Sequence, residues 1–179
     1  DPKRACWEHN LVFAPDPTRD GDGTGGGAAA SNAAGARSFR YGATRPHVRA
    51  LRVALADGSI VDLRRTALEK NTVGYALAHD PVDWFVGSEG TLGVVVEAEV
   101  ALLPLPEQVV GLAIPFATEH DALQFVVAAR EDVTVHPRSL AFFAVLALAR
   151  ARPPAAPPPW PQPAPALAHV EAPHPQHPP

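Results

Sequence analysis

Proline is distributed unevenly along the chain, which limits where a packed core can form. Of the 21 prolines, twelve lie in residues 153–179 and nine in the first 152 residues. Proline has no backbone N–H and cannot donate to a β-sheet or to a helix interior. We therefore predict a globular body followed by a Pro-rich, disordered tail over residues 151–179. This tail is expected to adopt polyproline II locally, and truncation after Arg152 is expected to leave the melting temperature unchanged.

The composition excludes several classes of protein. Hydrophobic residues make up 46% and charged residues 19%, which is typical of globular domains. The net charge of −4 gives no attraction to nucleic acid or to anionic membranes, so no nucleic-acid partner is expected. The single cysteine, Cys6, cannot form an internal disulfide, which favours a cytoplasmic location. No run reaches the roughly 18 consecutive apolar residues of a membrane-spanning helix, so none is predicted.

Two segments of the first half predict β-strands. Residues 48–64 contain two strand-like runs around Asp57 and Gly58, which predicts a β-hairpin. Residues 94–103 begin with three valines and alternate in part, which predicts a further strand that ends before Pro104.

A new unit is predicted to begin near Gln108. Residues 109–116 are strand-like, and Thr118 with Asp121 resembles a capping box, which predicts a helix to about Arg130. A further apolar segment follows at residues 138–150.

The first glycine-rich segment predicts a loop that enters a short helix. Five glycines occupy seven positions in residues 21–27, and the alanine-rich stretch after them is predicted to be helical up to Gly35. Three of these glycines have the G-x-G-x-x-G spacing, but the preceding segment is polar and broken by proline, so a Rossmann site is not predicted. Two interpretations stay open: backbone that approaches an anionic group closely, or a flexible loop.

The second glycine-rich segment surrounds Glu89, with glycines at positions 87, 90 and 93. It indicates either the close approach of a ligand or a turn that enters a strand. Gly90 and Gly93 are expected to be the least replaceable positions in the chain. The histidines show no metal-ligand spacing, and no nucleophile elbow or Walker lysine motif occurs, so no metal site is predicted.

Taken in order, these segments resemble the FAD-linked oxidase family with a PCMH-type flavin domain, which includes glycolate oxidase subunits and D-lactate and 2-hydroxyglutarate dehydrogenases. The resemblance covers residues 11–107, and residues 108–145 resemble the beginning of the family's substrate domain. The motifs are Phe13 to Thr18, Gly26-Gly27 with Asn32 and Gly35, Arg40 to Thr44, Leu55 to Val61, Lys70 to Tyr75, and Phe85 to Val94.

The resemblance implies an α+β fold with three parts. These are the second subdomain of a PCMH-type FAD-binding domain (residues 1–107), the start of an α+β substrate domain (residues 108–150) and the Pro-rich tail (residues 151–179). It implies bound FAD, held partly through backbone groups. Carried over position by position, the residues expected to contact FAD are Pro15, Asp16, Pro17, Thr18, Gly25, Gly26, Gly27, Ser31, Asn32, Ala33, Ala34, Glu89, Gly90, Thr91, Leu92, Gly93, Val94 and Val95.

The implied activity is the oxidation of a 2-hydroxy acid or a similar alcohol by the flavin, which passes its electrons to a separate acceptor. No catalytic base is assigned. The family's first flavin subdomain would precede residue 11, so upstream sequence with another glycine-rich loop is expected, and residues 19–23 carry two acidic side chains that depart from the family's pattern. The alternative is a non-catalytic remnant or binding module that keeps part of the fold without holding flavin.

Overall fold

The computed structural model describes residues 2–15, 24–66, 80–132, 134–144, 146–147 and 165–173. The chain divides into two units, Asp1–Leu105 and Pro106–Pro179, and the division lies two residues before the predicted boundary after residue 107. Within the described residues, no helix combines the length and the apolar composition needed to cross a bilayer.

Unit 1 mixes short helices with antiparallel strands. Its elements, in chain order, are α1 (Pro2–Glu8), β1 (Leu11–Val12), α2 (Gly25–Ala30), α3 (Ser38–Tyr41), a 3₁₀ turn (Arg45–His47), β2 (Val48–Ala54), β3 (Ile60–Arg64), α4 (Val82–Phe85), β4 (Val94–Val100) and β5 (Leu103–Pro104).

The main sheet of unit 1 has the order β3-β2-β4, and β1 pairs separately with β5. The predicted hairpin is confirmed, because β2 and β3 pair antiparallel with Leu51 opposite Leu63. Gly58 adopts φ +84° in the connecting turn, where the Asp57 carboxylate accepts the N–H of Ser59 at 2.9 Å. The predicted strand after residue 94 is β4, which ends at Val100 and pairs with β2.

The two faces of this sheet have opposite character. A buried cluster that includes Leu51, Val53, Val82 and Val86 packs on one face, together with Ala29 from α2. The other face carries exposed ion pairs, in which Arg52 contacts Asp62 and Glu97, and Arg64 contacts Glu99. Helices α2 and α4 therefore pack on the apolar face, and the charged face is open to solvent.

The predicted bounds of the first glycine-rich helix are wrong. The helix α2 begins at Gly25, within the predicted loop, and ends at Ala30, well before Gly35. Its start is set by Thr24, whose hydroxyl accepts the N–H of Gly27 at 3.0 Å. Its end is followed by Asn32 in the left-handed region (φ 48°), a conformation that asparagine tolerates.

In the described residues of unit 2, a helix packs on a three-stranded sheet. The elements of this unit are β6 (Val109–Phe116), α5 (Glu119–Glu131), β7 (Ser139–Ala144) and β8 (Ala166–Pro173). The predicted strand at residues 109–116 and the predicted helix are confirmed. The hydroxyl of Thr118 accepts the N–H of Asp121 at 3.1 Å and caps this helix.

The prediction of a disordered tail is wrong for residues 166–173. These residues form β8, the central strand of the order β6-β8-β7, antiparallel to both neighbours. Leu167 and Val170 are buried. Between Pro165 and Pro173 lie seven residues without proline, so every one of them has an N–H for the sheet. The prediction of disorder rested on the high proline content of residues 151–179 as a whole and did not consider this seven-residue segment separately.

Truncation after Arg152 is therefore expected to unfold unit 2 instead of leaving it unchanged. The truncation removes the strand between β6 and β7. It also removes the buried side chains of Leu167 and Val170, and the burial of each of these side chains contributes about 1.5–3 kcal/mol to stability. A chain that ends after Pro173 keeps β8 and serves as the control. Hydrogen exchange of the β6 and β7 amides should show lost protection in the shorter chain only. Equal protection in both chains would contradict the central place of β8.

Two glycines of the turn before β4 differ in what surrounds them. Gly90 has φ +80°, and no described atom lies within 4 Å of the position its Cβ would take. A Cβ on Gly93 would lie 2.7 Å from the carbonyl oxygen of Ala54 and 2.7 Å from a methyl group of Val53. The backbone of Gly93 therefore lies directly against β2, and glycine is needed there for packing within the chain.

We expect Gly93→Ala to destabilise the flavin-free chain by about 2–4 kcal/mol, since a side chain there displaces β2. Gly90→Ala adds only backbone strain and should cost about 1–2 kcal/mol. Urea unfolding of both variants measures the difference. Equal losses would show that the contact between Gly93 and β2 carries no weight in stability.

Candidate functional site

The two glycine-rich segments lie against each other in unit 1. We refer to residues 24–34 as the α2 segment and to residues 87–95 as the glycine turn. The N–H of Gly87 donates to the carbonyl oxygen of Ala29 at 3.1 Å. The structure therefore brings together two groups of predicted cofactor-contacting residues that are more than fifty positions apart in sequence.

The predicted site residues differ in exposure. Pro15 is fully buried and offers no surface to a ligand, while residues 16–18 lie outside the described residues. Gly26, Asn32, Ala33, Gly93 and Val95 are half-buried. The exposed members are Gly25, Gly27, Ser31, Ala34, Glu89, Gly90, Thr91, Leu92 and Val94.

The three glycines of α2 have different surroundings. A Cβ on Gly26 would lie 2.6 Å from the carbonyl oxygen of Val95, so the helix rests on β4 with no side chain between them. A Cβ on Gly27 would lie 3.0 Å from the capping hydroxyl of Thr24. At Gly25 no described atom lies within 4 Å, and its φ is outside the left-handed region. Contacts within the described part of the chain therefore explain Gly26 and Gly27 but not Gly25.

The polar groups at the exit of α2 are used within the chain. The Ser31 hydroxyl donates to a carbonyl oxygen of α2 at 2.8 Å, and the Asn32 side-chain oxygen accepts the N–H of Arg45 at 2.8 Å. The carbonyl oxygen of Ala33 accepts from both the N–H (3.1 Å) and the hydroxyl (2.7 Å) of Thr44. These side chains hold the exit turn in place, so a ligand here would meet mainly backbone.

The glycine turn is held in a left-handed backbone conformation. Glu89 has φ 53°, unusual for a residue with a side chain, and its N–H donates to the carbonyl oxygen of Ala30 at 2.9 Å. Gly90 follows with φ +80°. The N–H and the hydroxyl of Thr91 both donate to the carbonyl oxygen of Ser88, at 3.0 and 2.6 Å. The turn therefore presents exposed backbone beside the end of α2.

An arginine that was not among the predicted site residues supports this turn. The guanidinium of Arg45 donates to the carbonyl oxygens of Asp83 and Val86, directly before the glycine turn. Thr44, which contacts Ala33, precedes it in sequence and is buried. The signal in the sequence was the Arg40 to Thr44 motif, which ends at Thr44 and is directly followed by Arg45, but the partners of these two residues are visible only in the fold.

A second arginine contacts the same region. The guanidinium of Arg65 donates to the Asp83 carboxylate, at 2.9 Å for one pair of atoms, and to the carbonyl oxygen of Val48 at 2.7 Å. The hydrogen bond from Arg65 lowers the pKa of Asp83, and the nearby charge of Arg45 lowers it further, against the effect of burial. Asp83 therefore stays ionised and keeps the segment around α4 on the sheet.

The side chains in the described part of the chain include no group of three or more His, Cys, Asp or Glu that could hold a metal ion. The surface formed by the α2 segment and the glycine turn consists of backbone, small side chains and the exposed side chains of Glu89, Leu92 and Val94. Such a surface can bind and orient a flat or anionic group at close range.

Comparison with known proteins points to the same kind of site. Residues 3–64 match the profile of a family described as an FAD binding domain. The chain is 42% identical to the D-lactate dehydrogenase of Archaeoglobus fulgidus over 123 residues, which cover 69% of this chain and 26% of that protein. It is 44% identical to the glycolate oxidase subunit GlcD of Bacillus subtilis over 106 residues, covering 58% and 21%.

A third relative is the D-2-hydroxyglutarate dehydrogenase of Xanthomonas citri, 42% identical over 127 residues, which cover 70% of this chain and 25% of that protein. The chain thus spans about a quarter of the length of such relatives.

The fold also matches solved structures. Two crystal forms of alkyldihydroxyacetonephosphate synthase superpose with TM-scores of 0.66 at 19% and 18% identity. The match covers 96% of this chain and 32% of the synthase chain in the first form. At this identity the likeness concerns the fold alone, and it confirms the predicted α+β class. The profile match shows that residues 3–64 belong to an FAD-binding domain, and the relatives show that the chain is similar to D-lactate dehydrogenases and glycolate oxidase subunits.

Proposed function

We propose that the whole protein is an FAD-dependent oxidoreductase that takes a hydride from a 2-hydroxy acid and passes the electrons to a separate acceptor. The proposal is supported by three relatives named for lactate, glycolate and 2-hydroxyglutarate, all of which are 2-hydroxy acids. In this reading, unit 2 is the beginning of the substrate domain. The single cysteine supports a cytoplasmic location.

The observation that carries the proposal is the open backbone at Gly25. Glycine favours a helix less than alanine does, and no described contact or left-handed φ requires it at this first position of α2. A group from outside the described chain that approaches the backbone closely would require it. The α2 segment and the glycine turn would therefore provide the surface on which FAD lies.

The roles of this chain are binding and orientation. FAD supplies the hydride-accepting chemistry when it is bound. Gly25 and Gly90 leave room beside the backbone, and Thr91, Leu92 and Val94 are exposed on the same turn and the start of β4. Asn32 and Ala33 act indirectly, because their polar groups bind Arg45 and Thr44.

The alternative is a remnant that keeps the fold without holding flavin. Absorbance spectra of the purified whole protein separate the two: bands of oxidised flavin in the near-ultraviolet and blue support the oxidoreductase, and a colourless, folded protein supports the remnant.

Gly25→Ala is expected to separate cofactor binding from stability. Without flavin, the free energy of unfolding should stay unchanged or rise by up to about 1 kcal/mol, because alanine favours the helix and finds open space. In the whole protein, the dissociation constant of FAD should rise about tenfold, since the methyl group occupies the approach to the backbone. Chemical unfolding and fluorescence titration with FAD measure the two quantities.

Gly58→Ala is the matched control for this variant. Gly58 also has open space around its Cβ position, but it has φ +84° and lies in the turn of the hairpin. Its substitution should lower stability by about 1–2 kcal/mol and leave FAD affinity unchanged. If Gly25→Ala left the affinity unchanged as well, Gly25 would lie outside the cofactor surface.

The 179-residue chain alone is expected to bind FAD weakly or not at all. A cofactor held from two sides loses much of its contact area when only one side is present, and the resemblance assigns the other side to a subdomain upstream of residue 11. Isothermal calorimetry should give a dissociation constant well above about 1 μM. Submicromolar binding would show that this chain contains the complete site.

A further inference from the structure

Arg45 contacts the surroundings of both glycine-rich segments. Its backbone N–H donates to the side-chain oxygen of Asn32, in the α2 segment. Its guanidinium donates to the carbonyl oxygens of Asp83 and Val86, and Val86 directly precedes the glycine turn. One residue therefore connects the exit of α2 to the chain that enters the turn.

The geometry of this link requires a guanidinium. Two carbonyl oxygens three residues apart are bound by two nitrogens of one planar group, Nη1 and Nη2. A lysine ammonium lacks the fixed spacing of two planar donors. The packing is also close: a Cβ on Gly87 would lie 3.1 Å from Nη2 of Arg45 and 3.3 Å from the Cβ of Asn32.

We propose that Arg45 is a positioning residue, which fixes the α2 segment and the glycine turn relative to each other and so shapes the surface on which FAD lies. The inference rests on the proposed function for the role of that surface. The link itself rests on the contacts of Arg45 and is open to a separate test.

Arg65 provides a matched control within the same cluster. Both guanidinium groups lie within ion-pair distance of the Asp83 carboxylate, Arg65 the more closely of the two. The other hydrogen bonds described for the Arg65 guanidinium run to the carbonyl oxygens of Val48 and Arg45. In the described part of the chain, only Arg45 is hydrogen-bonded to both Asn32 and Val86. Loss of Arg65 therefore removes an ion pair with Asp83 and keeps this link.

The test compares Arg45→Gln with Arg65→Gln in the 179-residue chain by native-state hydrogen exchange. The N–H groups of Gly87 and Glu89, which bind the carbonyl oxygens at the end of α2, report on the contact between the two segments. Arg45→Gln should raise their exchange about tenfold more than it raises exchange of the central strand β2. Arg65→Gln should raise exchange at all these sites by one common factor.

Arg45→Lys extends the test if the glutamine variant does not fold. It keeps the charge beside Asp83 and should still raise exchange of the two reporting amides above that of β2. A uniform change in both arginine variants, or unchanged exchange of the two amides in Arg45→Lys, would overturn the positioning role.

FAD titration of the whole protein adds a second readout. Arg45→Lys should raise the dissociation constant about tenfold, whereas Arg65→Gln should leave it within about twofold of the original. If the unsubstituted whole protein bound no FAD, the proposed function would fail, and the exchange data would still decide the positioning role. If it bound FAD and Arg45→Lys bound it equally well, the link between Arg45 and the cofactor surface would be overturned.

Discussion

The contact between Gly26 and the carbonyl oxygen of Val95 sets the arrangement of unit 1. Because no side chain separates α2 from β4, the end of the helix comes close enough for Ala29 and Ala30 to accept hydrogen bonds from the glycine turn. The carbonyl oxygen of Ala30 at the helix end has no partner within the helix, so the bond from the N–H of Glu89 also satisfies an acceptor that would otherwise need water. Packing and hydrogen bonding thus join two distant segments into one surface.

The cluster around Asp83 shows how charge supports a backbone conformation. Two arginines beside one carboxylate would repel each other if the ion pairs were their only contacts. Each guanidinium also donates to carbonyl oxygens, those of Asp83 and Val86 for Arg45 and those of Val48 and Arg45 for Arg65. The excess positive charge is therefore placed against main-chain dipoles, and the bonds of Arg45 to Asp83 and Val86 hold the segment before the glycine turn.

The sequence was sufficient where the signal was local. The hairpin around Gly58 and the helix capped by Thr118 depend on turn and capping residues that neighbour them in the chain, and both were predicted correctly. The start of α2 and the strand β8 were not, because each depends on a partner far away. Gly25–Gly27 become helical against β4, and residues 166–173 become a strand between β6 and β7. The role of Arg45 was not predicted for the same reason, because the carbonyl oxygens that its guanidinium binds belong to Asp83 and Val86, 38 and 41 residues away in sequence.

The clustered glycines are needed for different reasons, which the sequence could not distinguish and the structure does. Gly93 has φ +156° and also lies against β2, and Gly26 lies against β4. Gly90 has a left-handed φ, and Gly25 has neither constraint within the described residues. A variant at Gly93 therefore damages the fold whether or not flavin binds, and loss of flavin there would carry no information about contact with the cofactor. Only a position where the fold tolerates a side chain can report on a ligand, and among the three glycines of α2 the described contacts leave room at Gly25.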